Sequence, residues 1–179
     1  MNALKSLAVL AAAVVMLAGT AFAEPRKIED FYGEFIGEGA TLTDIGETPS
    51  PNDRAANVVI SPEGSGFKVE WTTMRTREPV SEAQRSTVKW AELTFGAADA
   101  KGVWYEMSNE GMGGGKPFIW ARIDDDTLVI TTVILREDGS YDLTSYERKL
   151  KSKDDMELTF TRFRDGEIVR RAKADLKRQ

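Results

Sequence analysis

Three pairs of residues place an arginine two positions after an aromatic ring. They are Trp120 with Arg122, Tyr146 with Arg148, and Phe160 with Arg162. In a β-strand, residues two apart lie on the same face, so each ring would share a face with its guanidinium. An arginine that faces a protein interior needs an anion, because a buried unpaired charge is costly. The three pairs therefore predict a site for a carboxylate or phosphate head group with an apolar tail beside the rings.

The predicted ligand-binding residues are the three arginines and four aromatic side chains. Arg122, Arg148 and Arg162 would contact the head group, and Trp71, Trp120, Tyr146 and Phe160 would line the tail. These residues could have structural roles instead. Whether their strand face points into the barrel or toward solvent decides between ligand binding and a structural role. Arg122 and Arg148 could face water and pair with acidic side chains on neighbouring strands, and the tryptophans could belong to an ordinary core.

The segment GMGGGKP, residues 111–117, places four glycines within five positions before a lysine. A phosphate-binding loop requires Ser or Thr after the lysine and then a helix, whereas Lys116 precedes a proline and the strand-like FIWARI. The glycines instead favour a loop with positive backbone angles. We expect a plain hairpin connection or a portal flap over a cavity mouth, with Met112 at its tip and Lys116 at its rim.

The chain contains no histidine and no cysteine. This excludes Ser-His-Asp and Cys-His catalysis, zinc sites of the ordinary type and histidine as a general base. An enzyme built without them would need a buried carboxylate and a tyrosine, for which Glu106, Glu110 and Tyr105 are the candidates. We expect a binding protein rather than an enzyme.

Three consecutive carboxylates, residues 124–126, suit a hard cation by their chemistry. They lack the spacing that wraps a calcium loop, and DDDT between two apolar runs is typical of a hairpin tip. We therefore expect no metal site and no cofactor.

The N-terminus has the three parts of a secretory signal peptide. Lys5 precedes an apolar run over residues 7–18 and an A-x-A site that ends at Ala23. The run is shorter than the ~20 residues of a spanning helix, although a retained membrane anchor is the alternative. We expect cleavage after Ala23, a single domain over residues 24–179, no transmembrane span, and a periplasmic or secreted product.

Charge argues against nucleic acid as a partner. Lys5 is the one charged residue before Ala23, so cleavage changes the net charge from −5 to −6, whereas nucleic-acid-binding proteins usually carry a basic surplus. The tail RRAKADLKRQ, residues 170–179, is locally basic. It is typical of a charged edge strand and solvated terminus, and it also allows a weak contact with the cell envelope.

Alternating apolar and polar residues dominate the chain after Phe31. In GFKVEWTTM, for example, Phe67, Val69 and Trp71 share one face, while Lys68 and Glu70 share the other. The pattern predicts ten strands joined by short turns such as Asp-Gly dipeptides. They cover residues 31–43, 54–61, 66–76, 84–95, 102–108, 117–123, 127–136, 140–150, 156–164 and 167–175. The expected fold class is all-β, a single antiparallel up-and-down barrel, with a two-sheet sandwich as the rival.

The first strand contains GEFIGEG, residues 33–39, which resembles the G-x-W-x-G-x-G opening of nitrobindin-like barrels. More loosely it resembles the opening of lipocalins and fatty-acid-binding proteins, the calycin group, with Phe35 where those families place tryptophan. The resemblance implies a ten-stranded barrel around a pocket for a small apolar ligand. It also implies that an arginine from the last strands covers the first-strand aromatic, which would be Arg162 over Phe35.

Nitrobindin-like proteins bind haem through a histidine, and this chain has none, so haem held in that way is excluded. We expect a secreted or periplasmic calycin-like barrel that binds a small hydrophobic or amphipathic ligand with an acidic head group. Two alternatives stay open: a filled barrel that acts as an interaction module of the cell envelope, and a histidine-free isomerase or hydrolase.

Overall fold

Ten strands and one short helical turn make up the described part of the chain. The computed structural model describes residues 26–42, 50–75 and 89–179. A 3-10 turn spans Ile28–Phe31. The strands are β1 (Gly33–Leu42), β2 (Ser50–Glu63), β3 (Gly66–Arg75), β4 (Lys89–Phe95), β5 (Val103–Tyr105), β6 (Pro117–Asp124), β7 (Thr127–Leu135), β8 (Tyr141–Leu150), β9 (Asp155–Arg164) and β10 (Glu167–Arg178). The predicted signal peptide lies outside these residues and stays a prediction.

All ten strands belong to one antiparallel sheet. Its order is β4-β3-β2-β1-β10-β9-β8-β7-β6-β5, so sequence neighbours pair except for β4 and β5, and the last strand pairs with the first. Between β4 and β5 the sheet is joined by a bridge at Phe95 and Glu106, with Met107 N–H donating to the Thr94 carbonyl at 2.9 Å. The sheet is therefore a nearly closed up-and-down barrel. The predicted barrel is confirmed and the sandwich is wrong.

Turn chemistry accounts for the tight hairpins. β6 and β7 are joined at the tip predicted from DDDT, where Asp125 adopts a left-handed φ of 52°. β9 and β10 are joined at Asp165 and Gly166, with φ values of 49° and 87°. Two consecutive residues of positive φ match the right-handed twist of the flanking strands, which is why Asp-Gly marks this position.

β5 and β10 differ from the sequence expectation. A strand was expected over residues 102–108, but β5 ends at Tyr105 because the Glu106 carboxylate accepts the backbone N–H of Ser108 at 2.8 Å and turns the chain. The Asn109 side chain then bonds both backbone groups of Ile119 in place of a strand partner. β10 was expected to be a charged edge, yet it lies between β1 and β9, since closure of the barrel gives it partners on both sides.

One end of the barrel is filled with side chains. We call the end where β1 begins and β10 ends the closed end, and the opposite end, where the described residues form no comparable cluster, the open end. Fully buried phenylalanines occupy the closed end, and the rings of Phe67 and Phe95 stack with centroids 4.7 Å apart. Trp104 meets Phe67 edge-on at 5.6 Å. Ile28 and Phe31 of the 3-10 turn are buried against this cluster.

An arginine covers the first-strand aromatic, as the calycin resemblance implied, but it is Arg178 rather than Arg162. Its Cζ lies 4.4 Å from the centroid of the Phe35 ring. Its guanidinium donates to the carbonyls of Asp30 at 2.9 Å, Lys153 at 2.8 Å and Tyr32. β10 runs three residues further than expected, and this extension brings Arg178 to the closed end. The narrower assignment to the nitrobindin-like group stays a prediction.

The glycines of GEFIGEG let β1 approach β10 closely. A Cβ on Gly37 would lie 2.0 Å from the Asp175 carbonyl oxygen, and one on Gly39 would lie 2.2 Å from that of Lys173. Gly37 and Gly39 therefore leave the inward face of β1 without a side chain at two successive positions, which leaves space in the lumen beyond Phe35. Among the described residues, no helix has the length and apolar character needed to cross a membrane.

Candidate functional site: a cavity around a buried arginine

A cavity of about 190 Å³ lies inside the barrel between the filled core and the open end. Two kinds of side chain line it. Small residues from three adjacent strands, β2, β1 and β10, leave the space empty; they are Ala56, Gly39, Ala172 and Ala174. Aromatic and polar side chains from β3, β8 and β9 enclose it; they include Trp71, Tyr146, Arg148 and Phe160. The barrel is thus hollow in this part.

The rings of Trp71, Tyr146 and Phe160 form a continuous aromatic wall across the lumen. The centroid of the Trp71 ring lies 5.3 Å from that of Tyr146, and the Tyr146 centroid lies 5.1 Å from that of Phe160. Both distances fall within the range of favourable aromatic pairs. Three of the four aromatic residues predicted to bind ligand therefore line one cavity together.

Arg148 is the charged group of this cavity. Only 1% of its surface is exposed, and its Nε and Nη1 have no hydrogen-bond partner within the described residues. Its Cζ lies 5.7 Å from the ring centroids of both Trp71 and Tyr146. Burial lowers the pKa of Arg148 to about 10, so the guanidinium remains charged at neutral pH. Ring faces partly offset the buried charge, but two of its three nitrogens lack an acceptor among the described residues.

The surroundings of Tyr146 are electropositive. Burial raises the pKa of the Tyr146 phenol, while the nearby charges of Arg148, Arg170 and Arg162 act in the opposite direction. Arg170 lines the cavity directly. A negative charge entering from the open end would therefore move toward several guanidinium groups.

Arg162 has a partner of its own. Asp142, which is buried, accepts hydrogen bonds from Arg162 and Arg164, both at 3.1 Å, and from Arg136. The bonds from Arg136, Arg164 and Arg162 hold the pKa of Asp142 well below its usual range, although burial alone would raise it. Arg162 thus belongs to a cluster of three arginines around one carboxylate at the open end, and it does not line the cavity. We call these four residues the Asp142 cluster.

Trp120 and Arg122 lie on the outer face of the barrel, away from the cavity, which corrects their predicted placement. In β6 the inward positions are Ile119 and Ala121, both buried. Arg122 is exposed and pairs with Asp124 at 3.0 Å, while the Trp120 ring lies 6.0 Å from that of Phe118. The two residues do share a face, but the register of β6 against its neighbours turns that face toward solvent.

The glycine-rich segment forms an exposed turn at the open end, between β5 and β6. Gly111, Gly113, Gly114 and Gly115 all have positive φ, as the sequence predicted for a loop. Lys116 pairs with Glu110, and Met112 is exposed. Neither Met112 nor Lys116 lines the cavity. A portal function of this segment stays a prediction.

The candidates for histidine-free catalysis do not converge on the cavity. Glu106 is bonded to the backbone N–H and hydroxyl of Ser108, and Glu110 is paired with Lys116. Tyr105 is exposed, with its ring 6.1 Å from that of Phe118 on the outer face. None of the three lines the cavity.

Sequence reasoning missed the small residues that create the space. Ala172 and Ala174 on β10 face the same side as Gly39 of β1, because Gly39 pairs with Ala174 in the ladder. Two consecutive inward positions occupied by alanine are a recognisable signal, since a filled barrel places larger side chains there. Arg170, which continues this inward row in regular register with Ala172, was missed as well.

Comparison with known proteins supports the fold. No protein-family model matches the chain, and no curated protein matches its sequence significantly. A crystal structure of a protein of unknown function from the DUF3598 family of Nostoc punctiforme aligns with a TM-score of 0.56 and 13% identity, over 87% of this chain and 50% of that chain. The chain therefore spans about half the length of that protein. At this identity the likeness concerns the fold.

Two further solved structures align with lower scores. EF1p2_mFAP2b bound to DFHBI gives a TM-score of 0.39 and 10% identity, over 84% of this chain and 95% of that chain. The S-type phycobiliprotein lyase of Guillardia theta gives a TM-score of 0.43 and 9% identity, over 85% of this chain and 89% of that chain.

Proposed function

We propose that this protein is a binding barrel that holds a small amphipathic ligand by an acidic head group, without catalysing a reaction. The observation that carries the proposal is Arg148, a buried guanidinium with unsatisfied nitrogens at the edge of an apolar cavity. We further propose that the barrel acts in the periplasm or after secretion, since its N-terminal sequence has the form of a signal peptide.

Arg148 destabilises the protein while no ligand is bound. A charge buried without a partner costs several kcal/mol, because the lost hydration is not replaced. A carboxylate or phosphate placed beside Arg148 would supply both the opposite charge and the missing acceptors. The ligand thus provides Arg148 with a charged partner, while Trp71, Tyr146 and Phe160 contact its apolar part.

A filled barrel that serves as an interaction module has less support, because the lumen contains a cavity of about 190 Å³. A histidine-free enzyme has less support as well, because its candidate carboxylates lie outside the cavity. No nucleic acid and no metal enters this proposal.

Native mass spectrometry of the gently purified protein, followed by solvent extraction, tests the proposal. We expect a bound acid in stoichiometric amount. Arg148→Met should bind the extracted acid about 10- to 100-fold more weakly than the unaltered protein, because it lacks a hydrogen bond to a charged group. Arg122→Met, which removes the same group from the outer face, serves as the control. Unchanged affinity in Arg148→Met, or loss in both variants, would contradict the proposal.

A further inference from the structure

The size of the cavity limits what it can hold. An apolar cavity of about 150 Å³ is large enough for benzene, and one water molecule occupies about 30 Å³ of liquid. The cavity of about 190 Å³ therefore accommodates one six-membered ring and a group of carboxylate size. A long acyl chain has at least twice as many carbon atoms as benzene, so only part of it would fit within this volume.

The shape of the cavity favours a flat occupant. On one side lie Trp71 and Tyr146, whose rings meet across the lumen with centroids 5.3 Å apart. On the other side lies a wall of small residues on neighbouring strands, among them Ala56, Gly39 and Ala172. Aromatic rings pair well with other rings in offset or edge-on contacts, and the small residues leave room for a plane alongside the sheet.

Among the described residues, the buried donors that lack a partner belong to Arg148, although Thr73, Arg170 and Lys173 also line the cavity. The unsatisfied Nε and Nη1 of Arg148 lie beside the Trp71 and Tyr146 rings, whereas Ala56, Ala172 and Ala174 offer no side-chain donor. A ligand that matches this distribution has one anionic group attached directly to an apolar ring.

We propose that the ligand is a small aromatic carboxylate, with its carboxylate on Arg148 and its ring between the aromatic wall and the alanines of β2 and β10. This inference rests on the proposed function and names its ligand class. It makes the volume of the cavity, rather than the charge of Arg148, the determinant that separates short aromatic acids from fatty acids.

Isothermal titration of the full chain with three probes tests the ligand class. The probes are benzoate, benzyl alcohol, which has the ring without the charge, and dodecanoate, which has the charge on a long chain. We expect benzoate to bind with at least about tenfold higher affinity than either other probe, because only benzoate satisfies both Arg148 and the cavity volume. Dodecanoate binding as tightly as benzoate, or tighter, overturns the inference.

A cavity-filling variant provides a second test. Ala172→Leu adds side-chain volume within the cavity, and Ala98→Leu adds the same atoms at an exposed loop position. We expect Ala172→Leu to weaken benzoate binding at least about tenfold and Ala98→Leu to leave it unchanged. Equal benzoate affinity in the two variants contradicts the inference. Circular dichroism shows whether both variants fold. If Ala172→Leu does not fold, the titration with the three probes tests the ligand class by itself.

The outcomes separate the two proposals. Dodecanoate binding that depends on Arg148 refutes the aromatic ligand class and leaves the acid-binding barrel intact. Failure of both acids to bind, together with a protein that carries no acid after purification, refutes the binding barrel itself.

Discussion

The ring centroids of Trp71 and Tyr146 lie 5.3 Å apart, although four strands separate β3 from β8 in the order of the sheet. The two side chains therefore meet across the lumen. The two rings divide the lumen, and the cavity lies on the side of β2, β1 and β10, where the inward residues that line it are small. Arg148 lies beside both rings, and its Nε and Nη1 have no acceptor among the described residues. The contact between the Trp71 and Tyr146 rings thus bounds the cavity, and the charge of Arg148 lies beside it.

Replacing the buried arginine should stabilise the empty protein. Arg148→Met keeps much of the side-chain volume and removes a charge that has no acceptor at Nε or Nη1. Substitution of buried charges by apolar groups is often neutral or stabilising by about 1–4 kcal/mol, and the lost ring contacts offset part of this gain. We expect a free energy of unfolding equal to or higher than that of the unaltered protein, measured by urea denaturation after the ligand has been removed.

Arg122→Met is the matched variant, since Arg122 is exposed and pairs with Asp124 on the outer face. Its free energy of unfolding should change by less than about 0.5 kcal/mol. A loss of more than about 1 kcal/mol in Arg148→Met would mean that the guanidinium supports the fold.

The Asp142 cluster should make the protein sensitive to acid. Because hydrogen bonds from Arg136, Arg164 and Arg162 lower the pKa of Asp142 in the folded state, its stabilising contribution is present above the unfolded pKa of about 3.9. It is lost as the pH falls below that value toward the folded pKa. Asp142→Asn should lower the free energy of unfolding by about 1–3 kcal/mol at neutral pH. It should also make this free energy fall less steeply as the pH is lowered into the acid range.

Urea denaturation at a series of pH values from neutral to acid measures both effects. Asp154→Asn, at an exposed position, is the control and should keep the slope of the unaltered protein. If Asp142→Asn retains the full acid dependence, another carboxylate is responsible.

A methyl group at Gly37 should disrupt the pairing of β1 with β10. The added Cβ would lie 2.0 Å from the backbone oxygen of Asp175, and a backbone atom cannot move aside as a flexible side chain can. We expect Gly37→Ala to destabilise the barrel by about 1–3 kcal/mol, measured as a lower Tm by circular dichroism. Gly96→Ala, where a Cβ meets nothing within 4 Å, should change the Tm little. Equal Tm values for the two variants would show that the strands can separate without cost.

Loss of Arg178 should loosen the closed end. Its guanidinium joins the carbonyls of Asp30 and Lys153 and covers the Phe35 ring. Arg178→Ala should therefore lower the free energy of unfolding by about 1–3 kcal/mol and speed trypsin cleavage after Lys27, next to the 3-10 turn. Lys177→Ala removes the neighbouring exposed cation and is the control. Unchanged cleavage in Arg178→Ala would mean that the buried side chains of Ile28 and Phe31 hold the turn without it.

The local pattern of residues determined the secondary structure and the class of fold. Alternation in Gly66–Arg75 predicted a strand with Phe67 and Val69 buried, and both are buried. Asp-Gly at residues 165–166 predicted the turn before β10. These features follow from the twofold period of a strand and from the backbone angles of a tight turn, which depend only on neighbouring residues. The spacing within each aromatic-arginine pair likewise predicted a shared face.

Only the tertiary structure decided which of those faces points inward. Tyr146 and Arg148 face the cavity, whereas Trp120 and Arg122, with the same spacing, face solvent. The difference arises from the register of β6 and β8 in the closed sheet, because a shift of one residue exchanges the two faces of a strand. Register is set by pairing between distant residues, and no residue pattern within one strand contains that information. For the same reason, the position of each arginine depends on how the barrel closes. Arg148 lies in the cavity, Arg162 lies beside Asp142, and Arg178 lies at the closed end.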